Sequence, residues 1–86
     1  MNFKYLPIGS IVRLSNATRK VMVTGYNMET PNRPGKVYNY SGCIFPEGVL
    51  RSDVTIVFDH NQIEEIFFKG YENEEQKSFI EKITKK

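Results

Sequence analysis

The sequence predicts a small, mainly β domain that ends in one helix. Three observations carry that prediction. Between residues 11 and 58, apolar and polar side chains alternate in short runs, the two-residue period of half-buried strands. Gly, Pro, Asn and Ser gather between those runs, where connections need turn chemistry. After Gly70 the period becomes helical, with Phe79, Ile80 and Ile83 on one narrow stripe.

Pro7-Ile8-Gly9 reads as an extended lead-in or turn. Ile11–Leu14 alternates, with Val12 and Leu14 on one face and Ile11 and Arg13 on the other. Ser15–Thr18 is polar and short enough to close a hairpin onto Lys20–Tyr26, a β-branched strand whose Val21 and Val23 share a face. Glu29–Gly35 contains two prolines and a glycine, which stop any strand and mark an exposed loop. Val37–Phe45 resumes the alternation, and Gly42 predicts a bulge before Cys43. Pro46-Glu47-Gly48 ends that strand, and Val54–Phe58 is a short, strongly apolar fourth one.

Asp59 with Gln62 three residues on predicts a capped single turn. Glu64–Lys69 follows as a fifth strand, with Ile66 and Phe68 expected to face inward. Asn73 with Gln76 is a second capping arrangement, and Glu72, Glu74 and Glu75 suit the positive end of a helix dipole. Lys82, Lys85 and Lys86 suit the opposite end. Such a helix needs a docking surface, since about 12 residues alone are marginal in water. The division is therefore a β core over 1–71 and a helix over 72–86 within one domain. Five strands with a turn before the last is the layout of an SH3-like small barrel, whose closure hides strand edges. An open antiparallel sheet with the helix packed across it, an α+β arrangement, is the alternative.

A chain of 86 residues allows a single domain, and 40% hydrophobic with 26% charged residues is ordinary for a globular one. Eleven aromatics, six Phe and five Tyr, give a small core its bulk. The net charge of +2 is too low to announce nucleic acid or a membrane surface. It divides mildly, with 7 basic and 4 acidic residues up to position 60 and 5 and 6 beyond. One cysteine implies no disulfide, and the opening residues Met1–Pro7 lack the apolar stretch of a secretory leader. The expectation is a cytosolic protein without a membrane span.

Catalytic chemistry finds little purchase. His60 and Cys43 are each alone of their kind, too few for a metal site, and no residue is in evidence to orient them as a nucleophilic pair. Glu64 and Glu65 are neighbours on a strand and point to opposite sides. The glycines match no phosphate-binding loop. Arg19, Lys20, Arg33, Lys36 and Arg51 are scattered basic residues that read as a solvated surface. Tyr26, Tyr38 and Tyr40 are either interface anchors or core filling, and strand register decides which.

Several blocks add a resemblance. Leu6-Pro7-Ile8-Gly9-Ser10-Ile11-Val12, Lys20–Gly25, Tyr38–Cys43 with Phe45–Gly48, Phe58-Asp59-His60 and Ile63–Tyr71 together resemble a family of Gram-positive Firmicutes, domain of unknown function 4176. The likeness spans roughly residues 5–83. Members are commonly encoded beside LXG toxins and type VII secretion components, and the family has no catalytic residues to carry over. The resemblance implies a cytosolic accessory protein without cofactor that binds an LXG-type effector or its small helical partners. Such a partner needs a groove for an amphipathic helix or a sheet edge. The candidate contact residues are Tyr38, Tyr40, Phe45, Phe67 and Tyr71. An immunity protein that neutralises a toxin domain and a small-barrel RNA-binding module are the alternative readings.

Overall fold

The computed structural model describes residues 3–84. Five strands, β1 (Ile11–Leu14), β2 (Lys20–Glu29), β3 (Val37–Phe45), β4 (Ile56–Phe58) and β5 (Ile63–Phe68), form one antiparallel sheet in the order β4-β3-β2-β1-β5. A single 3₁₀ turn, His60–Gln62, separates β4 from β5, and helix α1 (Glu74–Thr84) follows. The mainly β prediction holds, and so do the turn before the last strand and the C-terminal helix.

Alternation decides which face is buried. Val12 pairs with Val21, and these two with Val23 turn their side chains to the same side, where all are buried. The Ser15–Thr18 turn joins β1 to β2, with Asn16 in the left-handed region at φ 62°, which asparagine tolerates better than most residues. β2 runs on to Glu29, three residues beyond the alternation read from sequence, and stays paired with β3 as far as Val37. β4 starts at Ile56, leaving Val54 and Thr55 in the preceding loop.

The bulge lies on β2 rather than at Gly42. Val23 faces Gly42 and Gly25 faces Ser41, so Thr24 is the extra residue. Gly42 is needed for close approach instead: a Cβ there would stand 2.7 Å from both the Met22 carbonyl oxygen and Val21 Cγ1. Asn27, at φ 51°, is a left-handed residue within the same strand.

The sheet does not close into a barrel. Among the described residues, β4 and β5 end the sheet without pairing to each other. β4 has three residues, and β5 follows β1 through two register shifts that break its alternation twice. Ile66 and Phe68, expected inward, are 51% and 59% exposed, and β5 reaches the core only through the half-buried Ile63. The inner face is covered in another way. The extended segment before β1, residues 3–8, lies over it as a strap and contributes Tyr5 and Leu6 to the core, while α1 contributes Ile80. Tyr40 and Phe58, both fully buried and stacked at 5.2 Å, fill the centre.

The helix begins as its capping residues require, with the Gln76 N–H donating to Asn73 Oδ1 at 2.8 Å. Ile80 is buried and Ile83 packs at the core margin, whereas Phe79 turns away and is half exposed. Lys85 and Lys86, read as charges at the helix end, lie outside the described residues. None of the described helices is long and apolar enough to cross a membrane.

Gly42→Ala should lower stability by about 1–3 kcal/mol, the usual cost of overpacking a tight site. Urea unfolding of the two proteins side by side measures it.

Candidate protein-binding groove

Three stretches of chain meet at one side of the sheet and leave an apolar groove of about 770 Å³ between them. The strap supplies Ile8, the bent part of β2 supplies Gly25, Tyr26 and Asn27, and the β5–α1 connection with the helix supplies Tyr71, Phe79 and Ile83. The bulge at Thr24 and the left-handed Asn27 flank Tyr26 in β2. Tyr71 is 76% exposed, and Ile8 and Phe79 are each about half exposed. Tyr26 and Phe79 have ring centroids 6.1 Å apart and form the floor.

The floor is tied to the strap by hydrogen bonds. The Tyr26 hydroxyl donates to the Leu6 carbonyl, and the Tyr5 hydroxyl donates to Asn27 Oδ1 at 2.7 Å. Burial pushes the Tyr26 phenol above its ordinary pKa. Glu75 and Asn73 line the rim, and Gln76 Oε1 is buried there without a partner.

Only one of the five contact residues expected from sequence, Tyr71, lines this groove. Phe45 and Phe67 lie elsewhere, each beside Lys20: Phe45 pairs with Lys20 across the strands, and the Lys20 ammonium sits 4.8 Å from the Phe67 ring centroid. Tyr38 is half-buried at the far end of β3 beneath Lys36, whose ammonium is 5.0 Å from the ring. Tyr40 is corrected outright, because at 0% exposure it is a core residue that no partner can touch. Register is the reason: Tyr40 faces Tyr26 and Phe58 on the inner side of the sheet.

Ile8 and Phe79 are groove residues that sequence reasoning did not propose as contacts, and Tyr26 was read there as either an interface anchor or core filling. Phe79 carried the available signal, since it adjoins Ile80 and consecutive helical residues point about 100° apart, which sets it at the margin of the stripe. A smaller apolar pocket of about 160 Å³ was also missed, lined by Cys43, Ile44, Val49, Leu50, Val54 and Ile56 beside the β3–β4 loop. Val49 and Leu50 there are 65% and 71% exposed.

A polar cleft at the other end of the strap contains Phe3, Lys36, Asn39, Asp59 and His60. Asp59 is its organiser. One carboxylate oxygen accepts the Asn39 N–H and the other the Lys36 ammonium, both at 3.0 Å, while its own N–H donates to Gln62 Oε1 at 2.8 Å. Asn39 Oδ1 in turn accepts the His60 N–H at 2.9 Å. Cys43 and His60 line separate cavities. Among the described residues, no group of three or more His, Cys, Asp and Glu side chains gathers to hold a metal ion. Three of the basic residues read from sequence are engaged in ion pairs, Arg19 with Glu47, Lys36 with Asp59 and Arg51 with Asp53.

An open five-stranded antiparallel sheet roofed by a strap and a terminal helix, with an apolar groove beneath the helix, is the class of domain these features define. The chain belongs to the family described as Domain of unknown function (DUF4176), whose model matches residues 5–79. Neither a curated protein nor a solved structure matches it.

Asp59→Ala should cost about 1.5–3 kcal/mol, because it strips a charged acceptor from the Asn39 amide and the Lys36 ammonium together. The shift in the urea midpoint reads that loss, and a change within error would contradict this role for Asp59.

Proposed function

We propose that this protein is a non-enzymatic binding module whose groove accepts one face of an amphipathic helix. Its partner is an LXG-type effector of type VII secretion, or one of that effector's small helical partners, met in the cytosol before export. The observation that carries the reading is the groove between β2 and α1, open to solvent and floored by Tyr26 and Phe79, with Tyr71 at its margin. A helix with its side chains is about 10–12 Å across and docks through anchors at i, i+3, i+4 and i+7. Tyrosines and phenylalanines of this kind, apolar in body and half exposed, are the residue types that anchor such contacts. The secretion setting rests on the gene neighbourhood that the resemblance to this family implies. That support is by association, whereas the support for helix binding is physical.

Co-expression with an LXG effector, divided into its N-terminal helical half and its C-terminal toxin half, tests both parts. A complex with the helical half or with the small helical partners is the expected result. Tyr71→Ser and Phe79→Ser should each weaken that complex about tenfold or more by calorimetry, as truncated anchors do. Tyr71→Ser should unfold within about 0.5 kcal/mol of the parent, since Tyr71 is 76% exposed, and Phe79→Ser, half-buried beside Tyr26, within about 1.5 kcal/mol. Binding to the toxin half alone would make the protein a neutraliser, and binding to neither would remove the secretion reading. Unaltered affinity in both variants would remove the groove from it.

A further inference from the structure

We propose that His60 is a pH-operated latch for the N-terminal strap: a neutral ring holds residues 3–8 on the sheet, and a protonated ring releases them. The latch is the hydrogen-bond chain through Tyr40. The Tyr40 oxygen accepts the Leu6 N–H at 3.0 Å, and the same oxygen stands 2.7 Å from His60 Nδ1. Leu6 occupies one acceptor site of that oxygen, and among the described residues the phenol hydrogen finds its acceptor in His60 Nδ1, in the tautomer that leaves Nδ1 bare. Neutral imidazole offers one accepting nitrogen, and imidazolium offers none.

Protonation therefore sets two donors against each other at 2.7 Å, on a tyrosine that is fully buried. Either the phenol hydrogen loses its acceptor or the ring swings out into the cleft, and each outcome disturbs the strap. Phe3 stacks on the His60 ring with centroids 4.2 Å apart, so a moving ring carries away that contact as well.

Among the described residues, the groups that face His60 do not supply a substitute partner for an imidazolium. From its own turn comes Asp59, with both oxygens already engaged by Lys36 and the Asn39 amide. The loop before β3 brings the Lys36 ammonium, which opposes a second positive charge in the same cleft. β3 presents Asn39 and the Tyr40 phenol, and the strap presents Phe3. Burial moves His60 below its ordinary pKa and pushes Tyr40 up to about 12, which agrees with a neutral ring facing a phenol that keeps its proton.

The sign follows from the lowered His60 value. Above the ordinary histidine pKa of about 6.5, folded and unfolded chains are both neutral there, and stability is flat. As pH falls from that value toward the folded one, the unfolded state binds the proton first and stability declines. The latch also reaches the groove. The strap carries Ile8, which lines one wall, and the Leu6 carbonyl, which holds the Tyr26 hydroxyl in the floor. Acidification thus opens the groove at its strap side, whatever the groove binds.

Amide hydrogen exchange on the full chain tests the latch without any partner. The Leu6 amide reports the strap, and the Val23 amide, bonded to the Ser10 carbonyl at 2.8 Å, serves as reference in the sheet. Between about pH 7.5 and about pH 5, Leu6 protection relative to Val23 should fall about tenfold, the loss of a single buried hydrogen bond. In His60→Gln and His60→Asn, which carry no titrating ring, the ratio should be the same at both values. An unchanged ratio in the parent chain, or an equal fall in both variants, would overturn the latch.

Discussion

A single phenol inside the sheet holds together parts of the chain that are far apart in sequence. Tyr40 has no solvent exposure, yet its oxygen must be hydrogen-bonded, because a buried hydroxyl without partners costs about 1–3 kcal/mol. Its partners come from the strap and from the 3₁₀ turn, Leu6 on one side and His60 on the other. Its ring stacks on Phe58 and meets Tyr5 and Tyr26 edge-on or tilted. Five parts of the fold are thereby referred to one side chain: the strap, β2, β3, β4 and the 3₁₀ turn. The groove inherits this dependence, since its floor residue Tyr26 is bonded to the same Leu6 whose amide Tyr40 accepts.

The open sheet and the strap belong together. A sheet of five strands that does not close must still cover one apolar face, and a core of this size has few side chains to spare. Tyr5, Leu6 and Ile80 provide the cover, from segments that flank the sheet in sequence. The cover stops short of β5, which keeps Ile66, Phe67 and Phe68 half in water. Charged neighbours accompany that edge: Arg13 lies 3.3 Å from both Glu64 and Glu65, and Lys20 covers Phe67. Charges and bulges are the devices that discourage unwanted pairing at sheet edges.

Much of this was readable from local pattern. Val12, Val21 and Val23 announce their face by alternation, Asn73 and Asp59 announce their turns by capping chemistry, and the chain does form five strands and a helix there. What escaped was whatever depends on register. Gly42 looked like a bulge because glycine in a strand has two common causes, and sequence cannot separate a bulge from close approach. Tyr40 looked like an anchor because its facing follows from pairing with Tyr26, beyond a bulge that no residue type marks. Ile66 and Phe68 obey the alternation of an inward strand, but the sheet's edge position removes the cover they would need. The groove escaped for the same reason, since strap, β2 and α1 are brought together only by tertiary packing.

β1 sits between β2, its neighbour in sequence, and β5, whose Ile66 lies opposite Val12. This arrangement has a consequence for synthesis. A chain emerging from the ribosome can pair β1 with β2 and β2 with β3 early, because these hairpins are local and close at small entropic cost. β1 then waits with one edge bare until residue 68 is available, and the core waits longer still for Ile80. The chain must therefore be made as far as the helix that carries Ile80 before the domain can complete itself. During that interval the strap and the inner face of the first three strands are exposed together, and a nascent-chain chaperone would meet the protein at that stage.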